Sequence, residues 1–367
     1  MTSRLGVTYH VRSDAASIAA RAQTIAVEQS VEMPLEAIDE PSVLREIVGE
    51  VQSIEPLDDG RFAVRIGLAA ATIGHDAGQL LNMLFGNTSL HDDVVLHDVT
   101  LPAEPSAAFG GPHHGIAGLR QRVSAHRRAL TCSALKPQGL SAEQLAVLAE
   151  RFARGGIDYI KDDHGLADQE YSRFAERVKA CAAAVARATQ ATGHPTRYVP
   201  SLSGDLNAMR RQVSLARALE IDCVLLAPLI AGFANMQALV TEFPDVAFFA
   251  HPSLGGAARI APALLIGKLF RLIGADAVIF PNFGGRFGYS LDTCRQLADN
   301  ACAPRDGLRP SLPVPAGGMT LQRTPELLDF YGPDAMLLIG GNLLLARERL
   351  TEETAAFTRA VAAHDYR

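Results

Sequence analysis

From Arg128 onward, short apolar segments of β-prone residues alternate with longer stretches of helical periodicity. Eight segments are predicted as strands, covering 129–135, 157–161, 197–202, 223–227, 247–251, 277–280, 312–315 and 335–339. A helical pattern follows each of them, for example over 142–154 and 263–272. Eight strand-then-helix units in roughly 240 residues match the size and repeat of a (β/α)8 TIM barrel. A doubly wound open sheet is the alternative, but it usually has about six strands and fits the count less well.

The residues before this repeat lack the strand-then-helix order and predict a separate, smaller unit. Strands are predicted over 6–11, 45–54, 61–69 and 92–101, and helices over 14–26 and 75–84. Asp59-Gly60, between two of these strands, is a strong hairpin-turn signal. The pattern predicts a small α+β, ferredoxin-like domain, in which helices cover one face of an antiparallel sheet. The run 109–115 is rich in glycine, proline and histidine, so the predicted domains are 1–112 and 113–367.

Composition narrows the possible functions. With 48% hydrophobic and 20% charged residues, the 367-residue chain can bury a large core. A formal net charge of -6, without a Lys/Arg-rich block, makes nucleic acid a poor candidate partner. Five scattered cysteines without CxxC pairs favour buried thiols in a reducing compartment over disulfides or a zinc site. No signal-peptide pattern or membrane-length apolar run is apparent, so we predict a cytoplasmic protein without membrane contact.

Polar residues and glycines follow the predicted barrel strands with unusual regularity. They are Lys136-Pro137, 161–164, 203–205, His251-Pro252, 282–286, 316–318 and Gly340-Gly341. In a (β/α)8 barrel such positions share the rim at the carboxyl ends of the strands, where catalytic groups lie. Unrelated surface salt bridges would not fall so regularly at the carboxyl ends of the strands. The pattern therefore predicts one functional site at this rim.

The stretch 155–165 carries the densest charge on this rim. Alternation along a strand places Lys161 and Asp163 on one side and Asp162 on the other. Asp163, His164 and Lys161 could hold a divalent cation, with the carboxylate as the most dependable ligand. An unmodified lysine ammonium has no free lone pair, so Lys161 would have to be deprotonated or carry an added carboxylate. The competing interpretation of the stretch is a solvated, salt-bridged loop.

Glycine pairs follow the seventh and eighth predicted strands, at Gly317-Gly318 and Gly340-Gly341. Bare glycine lets backbone N–H groups approach an anion, and barrel enzymes often bind a phosphate between these two loops. A glycine is more often required by a turn with positive φ than by a bound ligand. Two glycine pairs at this location nevertheless favour a phosphate site.

Three further side chains are candidates for proton transfer or anion binding. Lys136 is a candidate proton shuttle, against the alternative of a solvated surface lysine. His251 is either a general base or a hydrogen-bonded core imidazole. Arg286 suits an anionic substrate group, although a loop arginine paired with a surface carboxylate is equally common.

An ordered series of motifs runs through the predicted barrel. It comprises Lys136-Pro137-Gln138-Gly139-Leu140-Ser141, 155–163, His251, Gly285-Arg286, Pro315-Ala316-Gly317-Gly318 and Gly340-Gly341. Together these motifs resemble the large-subunit family of ribulose bisphosphate carboxylase/oxygenase (RuBisCO). The first domain resembles the family more faintly, through 26–30 and Gly86-Asn87.

The resemblance implies a role for each matching barrel residue. Lys161 matches a lysine that is carbamylated and binds Mg²⁺ together with the residue matching Asp163. Lys136 matches the lysine that protonates and deprotonates an enediol intermediate, and His251 matches an active-site histidine. The two glycine pairs match the loops that hold one substrate phosphate.

Two residues of the first domain carry an implication for assembly. Glu28 and Asn87 match residues that one subunit lends to the active site of its partner. The resemblance therefore implies a head-to-tail homodimer with active sites at the subunit interface, and leaves further assembly open.

Departures from the family pattern are equally informative. His164 stands where the family has a third metal carboxylate, which should weaken Mg²⁺ binding or admit another metal. Pro252 replaces an arginine that grips a second phosphate in carboxylases, and Ile279 replaces a nearby histidine. Arg286, in a rearranged loop, replaces the lysine that orients CO2. The chain therefore resembles the RuBisCO-like, non-carboxylating (form IV) branch and is expected to act on a monophosphate.

The expected reaction forms a metal-stabilised enediolate from a phosphorylated keto sugar or keto sugar acid. The sequence as a whole, including Lys161-Asp162-Asp163-His164, most resembles one subgroup of this branch. On that resemblance, the first expected activity is a decarboxylase or transcarboxylase/hydrolase of 3-oxo-isoapionate 4-phosphate. The alternatives are an isomerase or enolase of methylthioribulose 1-phosphate-type substrates, and an inactive barrel with a binding or regulatory role.

Overall fold

The computed structural model describes residues 3–102, 108–305 and 307–366. Its strands are β1 (Arg4–Arg12), β2 (Glu50–Pro56), β3 (Arg61–Ala69), β4 (Val94–Thr100), β5 (Leu130–Leu135), β6 (Tyr159–Asp162), β7 (Arg197–Val199), β8 (Cys223–Leu226), β9 (Ala247–Ala250), β10 (Ala277–Pro281), β11 (Leu312–Ala316) and β12 (Met336–Leu338).

The α-helices of the described ranges are α1 (Ile18–Glu28), α2 (Pro41–Glu46), α3 (Ala77–Phe85), α4 (Gly115–Arg122), α5 (Ala142–Arg154), α6 (Phe174–Thr192), α7 (Leu206–Ala218), α8 (Pro228–Ala231), α9 (Phe233–Glu242), α10 (Pro262–Leu264), α11 (Phe270–Leu272), α12 (Leu291–Cys302), α13 (Thr324–Tyr331), α14 (Gly341–Leu344) and α15 (Leu350–Ala362). Short 3-10 helices lie at Leu35–Ala37, Ala70–Thr72, Asn87–Leu90, Leu321–Arg323 and Arg347–Arg349. None of these helices combines the length and the apolar character needed to cross a membrane.

The first four strands form an antiparallel sheet in the order β2-β3-β1-β4. Alternate residues of β1 point to one face of the sheet, where Leu5, Val7, Tyr9 and Val11 are fully buried. Helices α1 and α3 pack on that face, and Tyr9 Oη donates a hydrogen bond to the Leu84 carbonyl at 2.7 Å. This is the predicted α+β arrangement. The boundary at 112 stays a prediction, and residues 103–107 beside it lie outside the described residues.

Two elements differ from the sequence expectation. The strand predicted over 45–54 starts only at Glu50, because α2 occupies the preceding residues. Pro41 suits the first position of that helix, and the Glu40 carboxylate accepts a hydrogen bond from Ser42 N at 3.2 Å. The helix predicted over 263–272 contains a π-helical segment, Leu265–Leu269. Gly267 in this segment packs so closely on α12 that an added Cβ would lie 2.8 Å from Asn300 Cβ.

The remaining eight strands are parallel and lie in two runs, β12-β5-β6-β7 and β8-β9-β10-β11. A bridge between Ser201 and Leu225 joins the two runs at β7 and β8. Strand β11 packs beside β12 and closes the ring. All eight predicted barrel strands are present and each is followed by a helix, so the (β/α)8 fold is confirmed.

The interior of the barrel is a packed apolar core. Leu130, Tyr159, Phe249 and Val314 belong to one buried cluster, which Leu119 of α4 joins. Tyr159 Oη donates a hydrogen bond to the Leu119 carbonyl at 2.7 Å, which ties α4 to the barrel. A second, larger cluster lies between the strands and the surrounding helices. The amino ends of the strands are thereby covered, and the rim at their carboxyl ends is left for a site.

Candidate active site

A cavity of about 680 Å³ lies at the carboxyl ends of the barrel strands. Its walls include ten of the twelve predicted site residues: Lys136, Lys161, Asp163, His164, His251, Arg286, Gly317, Gly318, Gly340 and Gly341. These residues lie in or just after the carboxyl ends of six different strands, so the closure of the barrel is what brings them together.

Strand alternation separates the charged residues of β6 as expected. Lys161 and Asp163 face the cavity, whereas Asp162 is buried away from it. The Asp162 carboxylate accepts hydrogen bonds from Arg177 Nε at 3.1 Å and from Tyr198 Oη at 2.7 Å. Arg177 is itself fully buried and also donates to the carbonyls of Ser172 and Ala167. This network satisfies a buried carboxylate directly behind the site and anchors the loop that follows it.

Asp163 is the electrostatic centre of the cavity. Its Oδ2 lies 3.2 Å from Lys136 Nζ, and its Oδ1 lies 2.8 Å from His164 Nδ1. Burial alone would raise the pKa of Asp163, but the His164 imidazole and the ammonium groups of Lys136 and Lys161 outweigh it and hold the pKa well below its usual range. Asp163 is therefore a carboxylate at neutral pH.

Lys161 is almost completely buried, with 3% of its surface exposed. Its Nζ donates a hydrogen bond to the Asp162 carbonyl at 2.7 Å. Burial lowers the pKa of Lys161 in spite of the nearby carboxylates. A lowered pKa increases the fraction of neutral amine, the form that can react with CO2 to give a carbamate.

His251 and His164 stack face to face, with ring centroids 4.1 Å apart and an angle of 9° between the rings. His251 Nδ1 lies 2.8 Å from Ser253 Oγ, so one ring nitrogen already has a partner. Burial and the positive charge of Lys161 lower the pKa of His251 to about 2. An imidazole with so low a pKa is neutral and holds a proton poorly, so hydrogen bonding to a substrate suits His251 better than general-base catalysis.

The paired glycines lie on the two neighbouring loops that follow β11 and β12. Gly317 and Gly318 have φ angles of +83° and +80°, a conformation that other residues rarely adopt. A Cβ on Gly318 would lie 3.0 Å from the Cα of Gly285, so the loops after β10 and β11 are in close contact. The helix that starts at Gly341 spans only Gly341–Leu344, so backbone N–H groups, and not a long helix dipole, would bind an anion here.

The rest of the cavity wall is largely apolar. Pro252, Leu254, Ile279, Phe287 and Met319 contribute to it. Arg286 lies over the Phe287 ring, with its guanidinium carbon 5.0 Å from the ring centroid, and forms no ion pair within the described ranges. An arginine without an ion pair in the described chain, next to an apolar surface, favours a ligand with one anionic group and an apolar substituent.

Glu28 and Asn87 are the two predicted site residues outside this cavity. They contact each other instead, since Asn87 Nδ2 donates a hydrogen bond to Glu28 Oε1 at 2.9 Å. Both lie in the first domain, on α1 and on the 3-10 helix Asn87–Leu90, where their polar groups face solvent.

Sequence reasoning missed several residues that shape the cavity. Ser253 could have been found from its position two residues after His251, where its hydroxyl reaches the ring. Leu254 carries no such signal: it has a φ of +65° and lines the cavity while 59% exposed. Arg177 and Tyr198 are separated from Asp162 by 15 and 36 residues, so only the fold reveals their contact.

Lys161, Asp163 and His164, at the end of β6, could hold a divalent cation only if Lys161 carried an added carboxylate. Among the described residues, no three His, Cys, Asp or Glu side chains converge as metal ligands. Asp163 Oδ1 is buried, and although His164 Nδ1 lies 2.8 Å from it, no donor of the described chain meets it with hydrogen-bond geometry. A carboxylate added to Lys161 would complete a set of Lys161, Asp163 and His164, two oxygen ligands and one imidazole.

Comparison with known proteins gives consistent matches. Residues 115–292 match the family described as "Ribulose bisphosphate carboxylase large chain, catalytic domain". The chain is 62% identical over 363 residues to the 5-methylthioribulose-1-phosphate isomerase of Rhodospirillum rubrum, which covers 99% of this chain and 97% of the relative. It is 32% identical over 326 residues to the 2,3-diketo-5-methylthiopentyl-1-phosphate enolase of Geobacillus kaustophilus, covering 83% and 78%. The crystal structure of a Rubisco-like protein from Rhodopseudomonas palustris superposes with a TM-score of 0.94 at 52% identity, covering 100% of both chains.

Proposed function

The chain belongs to the RuBisCO large-chain family, in its non-carboxylating RuBisCO-like branch, and on this premise we propose that it isomerises a ketose monophosphate of the 5-methylthioribulose 1-phosphate type. The observation that carries the proposal is the composition of the cavity. It combines a lysine–carboxylate pair, two glycine-pair loops and an apolar wall that includes Pro252 and Ile279, where the family resemblance implies an arginine that grips a second phosphate and a nearby histidine in carboxylases. One anionic group and one apolar substituent are what such a ketose monophosphate presents.

The names of the relatives support isomerase or enolase chemistry over the decarboxylation that the sequence analysis put first. One similar protein is named an isomerase and another an enolase of methylthio-substituted phosphates. Both reactions begin by removing a proton from a carbon next to a carbonyl. The inactive-barrel alternative is disfavoured because buried Lys161 and Asp163 are costly to keep without a ligand.

Isomerisation of a ketose phosphate moves one proton between carbons without a net change of oxidation state. In the proposed reaction, Lys136 in its amine form takes the proton from the carbon beside the carbonyl and returns a proton to the former carbonyl carbon, while the hydroxyl proton of the first carbon moves to the former carbonyl oxygen. Its Nζ lies 3.2 Å from Asp163 Oδ2, at the edge of the cavity with 31% of the side chain exposed. The Asp163 carboxylate stabilises the ammonium that Lys136 becomes when it takes the proton, and the neutral His251 imidazole donates or accepts a hydrogen bond at a substrate hydroxyl.

A divalent cation, with Mg²⁺ as the first candidate, fits the same proposal. Carbamylated Lys161, Asp163 and His164 would hold it, and it would supply Lewis-acid polarisation of the substrate carbonyl. The softer His164 ligand favours a metal such as Co²⁺, Ni²⁺ or Zn²⁺ more than a third carboxylate would.

The substrate phosphate is assigned to Gly317, Gly318, Gly340 and Gly341. Their backbone N–H groups provide donors without side chains in the way. Arg286 is free of ion pairs in the described chain and can reach an oxyanion of the substrate from the neighbouring loop.

We also propose that the active protein is a head-to-tail homodimer. Glu28 and Asn87 lie outside the cavity of their own chain, with side chains that bond to each other on the surface. In a dimer with two-fold symmetry, the same pair from each subunit would complete the cavity of the other.

The decisive experiment supplies the protein with 5-methylthioribulose 1-phosphate and Mg²⁺ in D2O and follows the products by ¹H and ³¹P NMR. A new ketose phosphate that carries deuterium at carbon supports the isomerase. A parallel reaction with 3-oxo-isoapionate 4-phosphate tests for CO2. Release of CO2 without isomerisation of the first substrate would support the decarboxylase instead. No reaction with either substrate would favour the inactive barrel.

A further inference from the structure

The loop that follows β9 has one end in the cavity and the other end on the first domain. Pro252, Ser253, Leu254 and Gly256 line the cavity directly after His251. A few residues later, Ile260 forms a parallel bridge with Leu96 of β4. Leu96 N donates to the Arg259 carbonyl at 2.9 Å, and Ala261 N donates to the Leu96 carbonyl at 2.8 Å.

Arg259 lies at this junction and reaches into the first domain. Its guanidinium donates to three backbone carbonyls: those of Ser89, of His91 at 2.9 Å and of Val94 at 3.3 Å. Ser89 belongs to the 3-10 helix Asn87–Leu90, which also carries Asn87. A planar guanidinium offers its donors in a fixed fork, so it holds the three carbonyls in one relative arrangement.

The 3-10 helix has a second anchor on its other side. Gln29 Oε1 accepts a hydrogen bond from Thr88 N at 3.1 Å, and Gln29 Nε2 donates to the Met83 carbonyl at 2.8 Å. Gln29 therefore holds the helix to α1 and α3 without touching the loop after β9. Of these two anchors, Arg259 is the one that directly follows the cavity-lining residues in the chain.

We propose that Arg259 is a positioning residue that joins two half-sites: its backbone, which continues the cavity loop 252–258 of its own chain, pairs with Leu96, and its guanidinium positions Asn87 through the Ser89 carbonyl. The proposal rests on the proposed function in one respect, that Asn87 serves the cavity of the partner subunit. On that basis each Arg259 links one site of the dimer to the other. A shift of the loop on substrate binding would then move Asn87 in the neighbouring site.

The first test needs no substrate and uses hydrogen–deuterium exchange on the full-length protein. Arg259→Met should raise exchange in both 87–91 and 252–260, by about tenfold, because it removes charge-assisted hydrogen bonds that bridge them. Gln29→Ala should raise exchange in 87–91 alone, and Arg210→Met, which removes an exposed arginine paired with Glu242, in neither. If Arg259→Met raised hydrogen–deuterium exchange in only one of these two segments, the proposed link between them would be wrong. Arg259→Lys keeps the cation and serves the same comparison if the Met variant does not fold.

The second test asks whether Arg259 acts through Asn87 in turnover of 5-methylthioribulose 1-phosphate. Arg259→Met should lower kcat/KM about tenfold in the wild-type background and less than about threefold in an Asn87→Ala background. Arg259→Lys should recover part of the loss, since it restores one donor but not the fork. Losses that multiply fully in the double variant would overturn the proposal. If the wild-type protein turns over no substrate, the proposed function fails, while the exchange experiment still decides the role of Arg259.

Discussion

Lys136 Nζ and Asp163 Oδ2 lie 3.2 Å apart at the tips of two adjacent barrel strands, β5 and β6. The two residues are neighbours because the strands pair in parallel, with Leu135 opposite Asp162. Their contact places an ammonium group beside a carboxylate at the edge of the cavity. In the proposed reaction, this contact would hold Lys136 beside the substrate carbon that loses its proton.

Lys136→Ala should abolish proton exchange at the substrate carbon while leaving phosphate affinity nearly intact. Loss of a general acid–base residue usually costs about 10²- to 10⁴-fold in rate, whereas the glycine cradle is built from other loops. Deuterium incorporation measured by NMR tests the loss of proton exchange, and calorimetric titration with inorganic phosphate tests the phosphate affinity. Lys179→Ala, on the exposed face of α6, is the matched control. A fully active Lys136→Ala would remove this residue from the mechanism.

Gly318→Ala should weaken phosphate binding by about tenfold or more. Its φ of +80° strains any other residue, and the new Cβ would press on Gly285, which shifts the cradle. Gly193→Ala is matched in backbone strain, with a φ of +74°, but has open space around it at the end of α6. Calorimetry with phosphate compares the two variants. Equal phosphate affinities would show that the cradle lies elsewhere.

Arg177→Met should destabilise the fold by about 3–5 kcal/mol, because it leaves the buried Asp162 carboxylate without its cation. Arg177→Met combined with Asp162→Asn should be less destabilised than the single variant, since the buried charge is gone. Arg187→Met, which removes an exposed ion pair with Glu150, should cost less than about 1 kcal/mol. Urea denaturation measures all three. A single variant as stable as Arg187→Met would contradict the account of this network.

Stability should fall as the pH drops from about 6.5 to about 4, in part through the stacked rings of His10 and His97 on the open face of the first sheet. Burial and the facing ring lower the pKa of His10 to about 4, so in this window the unfolded chain binds more protons than the folded one. The charged groups around the pair are Asp59, Arg61, Asp98 and Lys268.

The contribution of His10 and His97 to the pH dependence of stability can be measured by comparing the wild type with a variant that lacks one of the two rings. His97→Gln should show a shallower loss of unfolding free energy over this pH range than the wild type, measured by urea denaturation at each pH. His126→Gln changes an exposed histidine away from the sheet and should leave the slope unchanged. Identical slopes in all three proteins would rule the pair out as an acid-sensitive element.

Asn87→Ala and Lys136→Ala subunits should complement each other if the active sites are shared between chains. A mixed dimer would contain one site with both changes and one site with neither. Random mixing of equal amounts should restore up to about a quarter of the wild-type activity, because half of the dimers are mixed and each has one intact site. Co-expression with two affinity tags yields the mixed dimer for assay. Activity no higher than that of the parent variants would place Asn87 outside the partner's site.

The sequence by itself determined the barrel and most of its mouth. Eight apolar segments of strand length, each followed by a helical pattern, admit few other folds, and the residues just after them must share one rim. Lys136, Asp163 and Gly317 were therefore predictable as neighbours although they are remote in the chain. The side-chain period of two along a strand also predicts that Asp163 and Asp162 point to different sides.

Tertiary structure alone decided the contacts that no local period encodes. The burial of Asp162 against Arg177 and Tyr198, the stacking of His164 on His251, and the grip of Arg259 on the first domain depend on how separate elements pack. The start of β2 was also misjudged, because a cap at Glu40 stabilised a helix where β-prone residues favoured a strand. Local pattern specifies which elements form and which way they face, whereas long-range packing sets the distances between side chains, and chemistry depends on those distances.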